Sequence, residues 1–103
     1  MATGNGVGFE IFEFINPRIK AAKTFEAEYE RAGFFHICVT DADPEGLARR
    51  FEAEGGRRIG KTVDPSGKGE ITCLYLSDPW NNVVEVLDVG FEVMGYPSGE
   101  VGG

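Results

Sequence analysis

The sequence predicts an α+β fold of βαβββ type, preceded by one extra strand. Three observations predict it: short runs of aromatic and β-branched residues, turn dipeptides between those runs, and one segment with a helix-capping signal. The chain has 103 residues, of which 42% are hydrophobic, which suits one small domain with a core. We divide it into an N-terminal strand and connection at 1–33, a βαβββ module at 34–88 and a tail at 89–103.

The extra strand is predicted over Val7–Ile15, which ends at Asn16-Pro17. In a strand, Glu10 would share one face with Phe12 and Phe14. Both faces would carry large apolar side chains, so we expect this strand to be covered on both sides. The polar stretch 18–31 that follows could form a short helix or a long connection.

The βαβββ module begins with a strand over Phe34–Thr40. Its helix is predicted to begin at Asp43-Pro44, because aspartate is a good N-cap and proline suits the first helical position. The helix should end at Gly55-Gly56. Three further strands complete the module, at Arg58–Val63, Glu70–Ser77 and Val83–Leu87, with turns at Asp64–Gly67 and Asp78–Asn81.

Charge and cysteine content exclude several classes of function. The chain has 10 Lys and Arg against 17 Asp and Glu, a formal net charge of −7, which argues against nucleic acid or an anionic membrane surface as a partner. No apolar run approaches the ~18 residues of a membrane span, and no signal peptide is evident, so we expect a cytoplasmic protein. Cys38 and Cys73 form no CxxC pair and are interpreted as small core residues.

Three polar residues interrupt apolar strands: His36, Glu85 and Glu10. Burying an unpaired charge is costly, so the three groups should meet a cation, meet each other or face a wet cavity. One imidazole and two carboxylates suit Zn, Mn, Fe, Co or Ni. The alternatives are a structural histidine and glutamates that point to solvent. A site that needs two histidines from one chain is excluded, because the chain has one.

These motifs resemble a known family. Phe35–Val39, a helix, and then Leu74–Val86 resemble the second half of a vicinal oxygen chelate domain, the superfamily of glyoxalase, bleomycin-resistance protein and extradiol dioxygenase. The resemblance implies paired βαβββ modules that form a cup around a divalent metal ion. It implies that His36 is the first-strand ligand and Glu85 the last-strand ligand. Gly8–Phe14 resembles the last strand of a preceding module, which would make Glu10 a third ligand.

The chain departs from this pattern in length. Two modules would need more than the 103 residues present, so most of the first module is missing. Either the chain is the C-terminal piece of a longer protein, or it is a natural short form whose cup is completed by a partner chain. A homodimer would bring His36 and Glu85 of both chains together, leaving Glu10 peripheral or in competition.

The resemblance implies a glyoxalase-like, metal-dependent lyase or isomerase that acts on a small oxygenated substrate. The metal would stabilise an anion formed from neighbouring oxygens, and Glu10 or Glu85 would move the proton. The alternative is a non-catalytic small-molecule binding or sequestering protein, whose cup would hold an apolar ligand between Phe12, Phe14, Tyr75 and Trp80. A third possibility is an inert partial domain with no site.

Overall fold

The computed structural model describes residue 4, residues 6–90 and residues 92–93. Over these residues the predicted α+β class is confirmed, with one mixed four-stranded sheet and few helices. The elements in chain order are α1 (Phe25–Glu28), β1 (His36–Thr40), α2 (Pro44–Ala53), β2 (Arg57–Val63), β3 (Cys73–Ser77) and β4 (Val83–Leu87).

The strands lie in the order β1-β4-β3-β2. The β2–β3 and β3–β4 pairs are antiparallel, whereas β1 lies parallel to β4 and forms one edge. The turn between β3 and β4 is held by Asp78, whose Oδ1 accepts hydrogen bonds from the N–H groups of Trp80 and Asn82. Asn81 adopts a φ of 68°, a left-handed conformation that asparagine tolerates well. This turn fixes the register that places Tyr75 opposite Glu85.

Helix α2 begins as predicted, because the Asp43 side chain accepts a hydrogen bond from the N–H of Gly46 and Pro44 follows the cap. Its Ala48 is fully buried on one face of the sheet, against Leu74, Leu76 and Val86. The opposite face holds a second cluster, built from Ile71, Cys73 and Leu87. We call this opposite face the site face, defined by His36, Cys38, Cys73, Tyr75 and Glu85.

The prediction of an extra N-terminal strand over Val7–Ile15 is wrong. The structure has an isolated bridge at Gly8 and irregular chain from Phe9 onward. Residues 9–15 make no backbone hydrogen bond to the described chain, and their large side chains are exposed instead of covered on both sides. The composition suits a pleated surface, but a strand also needs a neighbouring backbone that completes its hydrogen bonds.

Other boundaries move by a few residues. The 18–31 stretch is a connection that contains the single helical turn α1. Strand β1 begins at His36 and not Phe34, and β3 begins at Cys73 and not Glu70, because the N–H of Thr72 bonds the Asp88 side chain. Most of the predicted tail at 89–103 lies outside the described residues. No helix in the described part of the chain is long and apolar enough to cross a membrane.

Candidate functional site

The structure brings His36 and Glu85 together. Strand β1 lies parallel to β4 with Cys38 opposite Glu85, so His36, two residues before Cys38, is on the same face. His36 Nε2 lies 3.1 Å from Glu85 Oε1. Two of the three predicted metal ligands therefore meet on the site face, on neighbouring strands.

Glu85 is a carboxylate in an apolar sheet, and its residue is only 5% exposed. The Cys73 thiol donates a hydrogen bond of 3.2 Å to its second oxygen, Oε2. Among the described residues, His36 is the partner in its one ion pair, and no lysine or arginine reaches it. Because a buried carboxylate carries a large desolvation penalty, this site favours additional positive charge.

The two thiols beside Glu85 are held in their protonated form. Burial, followed by the hydrogen bond and negative charge of Glu85, raises the pKa of Cys73 to about 12. Burial and the Glu85 charge raise the pKa of Cys38 to about 11, and the same two causes raise the pKa of Tyr75. Protonated thiols are hydrogen-bond donors and poor nucleophiles, so both are suited to supporting the carboxylate.

The His36 ring is fixed by packing on both sides and by one hydrogen bond. Its centroid lies 4.2 Å from that of Phe35 and 5.3 Å from that of Tyr75, both edge-on. Its other nitrogen, Nδ1, is buried and has no hydrogen-bond partner in the described structure. The imidazole is therefore oriented toward Glu85 through Nε2 alone.

Glu10, the third predicted ligand, does not join the pair. It is exposed on the irregular N-terminal segment, although it and His36 line the same groove. In the part of the chain that the structure describes, no group of three His, Cys, Asp or Glu side chains is arranged to hold a metal ion. One chain thus presents two converging donors, one nitrogen and one oxygen.

A groove of about 1000 Å³ lies beside β1, between the N-terminal segment and the sheet. Phe12, Phe14 and Trp80 line it, as expected for an apolar cup, whereas Tyr75 does not. The connection that borders the groove is tied to the sheet by two contacts. Arg57 donates two hydrogen bonds of 3.0 and 2.9 Å to Glu26, and Asn81 Nδ2 donates one of 2.8 Å to the carbonyl of Ala22.

Sequence reasoning missed Cys73 and Tyr75 as the neighbours of Glu85. The signal was present in the turn, because counting outward from the Asp78–Asn82 turn pairs Ser77 with Val83 and Tyr75 with Glu85. Cys73 lies two residues further along the same face. Treating Cys73 as a core residue alone was therefore correct for its burial and incomplete for its hydrogen bonding.

Comparison with known proteins adds no family to this description. No protein-family model matches the chain, and no curated protein or solved structure matches it. The resemblance to the vicinal oxygen chelate superfamily therefore stays a prediction.

Proposed function

We propose that two copies of this chain form a divalent metal site from His36 and Glu85 of each copy. We further propose that this site carries out glyoxalase-like lyase or isomerase chemistry on a small oxygenated substrate. The observation that supports it is the burial of Glu85, whose one ion-pair partner among the described residues is a histidine. A cation would offset the cost of burying that carboxylate.

The spacing of the two donors fits one ion. Ligands bound at about 2.1 Å and subtending 90–109° at a metal are about 3.0–3.4 Å apart. Nε2 of His36 and Oε1 of Glu85 are separated by 3.1 Å. The Cys73 thiol donates a hydrogen bond to the other oxygen and would fix the orientation of the carboxylate. Groups that hydrogen-bond to metal ligands commonly have this role.

Two donors are fewer than the three protein ligands usual at a catalytic zinc, so a second copy must complete the set. A two-fold axis in front of the site face would bring two identical pairs together. One imidazole and one carboxylate per copy suit Zn, Ni, Mn, Co or Fe.

The bound ion would supply electrophilic stabilisation of an anion formed on the substrate's oxygens. The chain's own residues would then divide the remaining work. Glu85 is buried and held by two hydrogen bonds, so it suits binding. Glu10 is exposed and lines the groove, so it is the better carrier of a substrate proton.

Metal titration of metal-free protein tests this function. We expect one Zn, Mn, Ni or Co ion per two chains by elemental analysis after dialysis, and a rise in the unfolding temperature. His36→Ala and Glu85→Gln should each abolish binding. Glu70→Gln removes one charge from an exposed loop and should leave it unchanged. Absence of stoichiometric metal, or binding that survives both site variants, contradicts the proposal.

A second function is favoured by the groove. Its volume and aromatic lining suit an apolar, planar ligand bound without metal. The only tryptophan, Trp80, lines it and would report occupancy by its fluorescence. A neutral aromatic dye such as Nile red should bind saturably to metal-free protein, and Phe12→Ala should weaken it, whereas Val63→Ala should not. If neither metal nor dye binds, the chain is an inert partial domain.

A further inference from the structure

Strand β1 has an open edge. It pairs with β4 on one side, and no strand of the described chain pairs with its other side. The N–H of Asp41 donates to the carbonyl of Leu87 at 2.9 Å, toward β4. Because bonding direction alternates along a strand, the N–H groups of Cys38 and Thr40 point away from β4, toward the open edge. An edge of this kind is a template for another strand.

The surface next to this edge is apolar. Helix α2 packs on β2 and β3, at the other end of the sheet. Ile37 on β1 is therefore 42% exposed, and Phe35 just before the strand is 47% exposed. A strand added beside β1 would cover both side chains.

The chain also contains a segment suited to fill such an edge. Residues 9–15, with the sequence FEIFEFI, are rich in strand-forming residues and make no backbone hydrogen bond to the described chain. Ile11 is 71% exposed and Phe12 68% exposed. The segment has seven residues and β1 has five, so it is long enough to pair along the whole edge.

We propose that residues 9–15 of one copy add as a strand to the β1 edge of a second copy, and that the exchange is reciprocal. Each copy carries both an open edge and an unpaired strand-forming segment. A closed two-fold dimer would pair the edge of each copy with the segment of the other. Each β1 edge and each 9–15 segment is then used once, so the exchange closes at two copies. Each chain has a net charge of −7, so salt should strengthen the dimer by screening repulsion.

The exchange goes beyond the metal site and is tested in metal-free protein. Light scattering at micromolar concentration should give the mass of a dimer. Ile11→Pro, which removes a strand N–H and fixes φ in an exposed segment, should give a monomer. Ala21→Pro is the matched control: it lies in the same irregular connection, outside the proposed strand, and should remain a dimer.

The edge is tested separately by Thr40→Pro. The Thr40 N–H points away from β4, so this substitution blocks the edge while keeping the β1–β4 bonds. It too should give a monomer. Mixing the Ile11→Pro and Thr40→Pro proteins should restore a heterodimer, because the intact segment of one can pair with the intact edge of the other.

Hydrogen exchange on the wild-type protein keeps the test independent of how the variants fold. The amides of Cys38 and Thr40 should be protected in the dimer and lose protection on dilution. A wild-type monomer, a dimer that survives Ile11→Pro, or unprotected amides overturns strand exchange. A dimer that survives Ile11→Pro leaves the shared metal site standing, whereas an exchanged dimer that binds no metal overturns only the metal site.

Discussion

Glu85 organises the site face at the scale of single residues. Its two oxygens accept from His36 and Cys73, and its charge acts on the Cys38 and Tyr75 side chains across the neighbouring strands. The strands that carry the two cysteines are separated by β4. Strand spacing puts their Cα atoms about 10 Å apart, beyond the reach of a disulfide. Both thiols therefore lie beside the carboxylate without forming a disulfide within one chain.

The raised thiol pKa values make stability depend on alkaline pH. The folded protein holds the Cys73 and Cys38 protons to a pKa of about 12 and about 11, against an ordinary value of 9.0. The folded state therefore binds more protons than the unfolded chain between pH 9 and 12. The stabilising contribution is complete below pH 9 and is lost as the pH rises through this interval.

Urea unfolding followed across pH 7–12 measures this effect. For each protein, the free energy of unfolding is expressed relative to its value at pH 7. We expect it to decline above pH 9 in the wild type and to decline less steeply in Cys73→Ala. Parallel declines in the two proteins would show that the thiol environment has no such influence.

At the scale of elements, the start of α2 depends on one side chain. The Asp43 carboxylate accepts from the N–H of Gly46 at 3.1 Å. Asp43→Ala should lower the free energy of unfolding by about 1 kcal/mol, because it leaves a helix N–H unsatisfied. Asp43→Ser restores an acceptor and should recover most of the loss. Equal destabilisation by alanine and serine in urea titrations would contradict the capping role.

The elements that the sequence predicted well are those fixed by local chemistry. Helix α2 is defined by its Asp43-Pro44 start, and β4 follows a turn that Asp78 closes with its own side chain. Residues 9–15 were predicted wrongly because composition reports suitability for a strand and says nothing about an available partner. Strand pairing depends on the whole chain, and no described part of this chain pairs with residues 9–15.

The candidate site was predictable only in part for a related reason. Alternation along each strand correctly grouped His36 with Cys38, and Glu85 with Val83 and Leu87. Whether those two groups share a face depends on the parallel β1–β4 pairing, which joins distant parts of the chain. Glu10 belongs to a segment that forms no strand, so no register relates it to His36.

At the scale of the whole molecule, the topology sets an order of assembly. Strands β2, β3 and β4 are connected by turns and pair with their neighbours in sequence. Strand β1 pairs with β4 across an intervening helix and two strands, so closing that pair costs more chain entropy. We expect the three later strands to associate first and β1 to dock last.

Val39→Ala and Val84→Ala form a matched pair that tests this order, because both valines are partly buried against the same core cluster, on β1 and β4. Stopped-flow measurements in dilute protein should find that Val84→Ala slows folding, whereas Val39→Ala mainly speeds unfolding. Equal effects on the folding rate would contradict late docking.

If β1 docks last, the contact between His36 and Glu85 forms only at the end of folding. Peeling of that single strand would then open the site while the three-stranded meander stays intact.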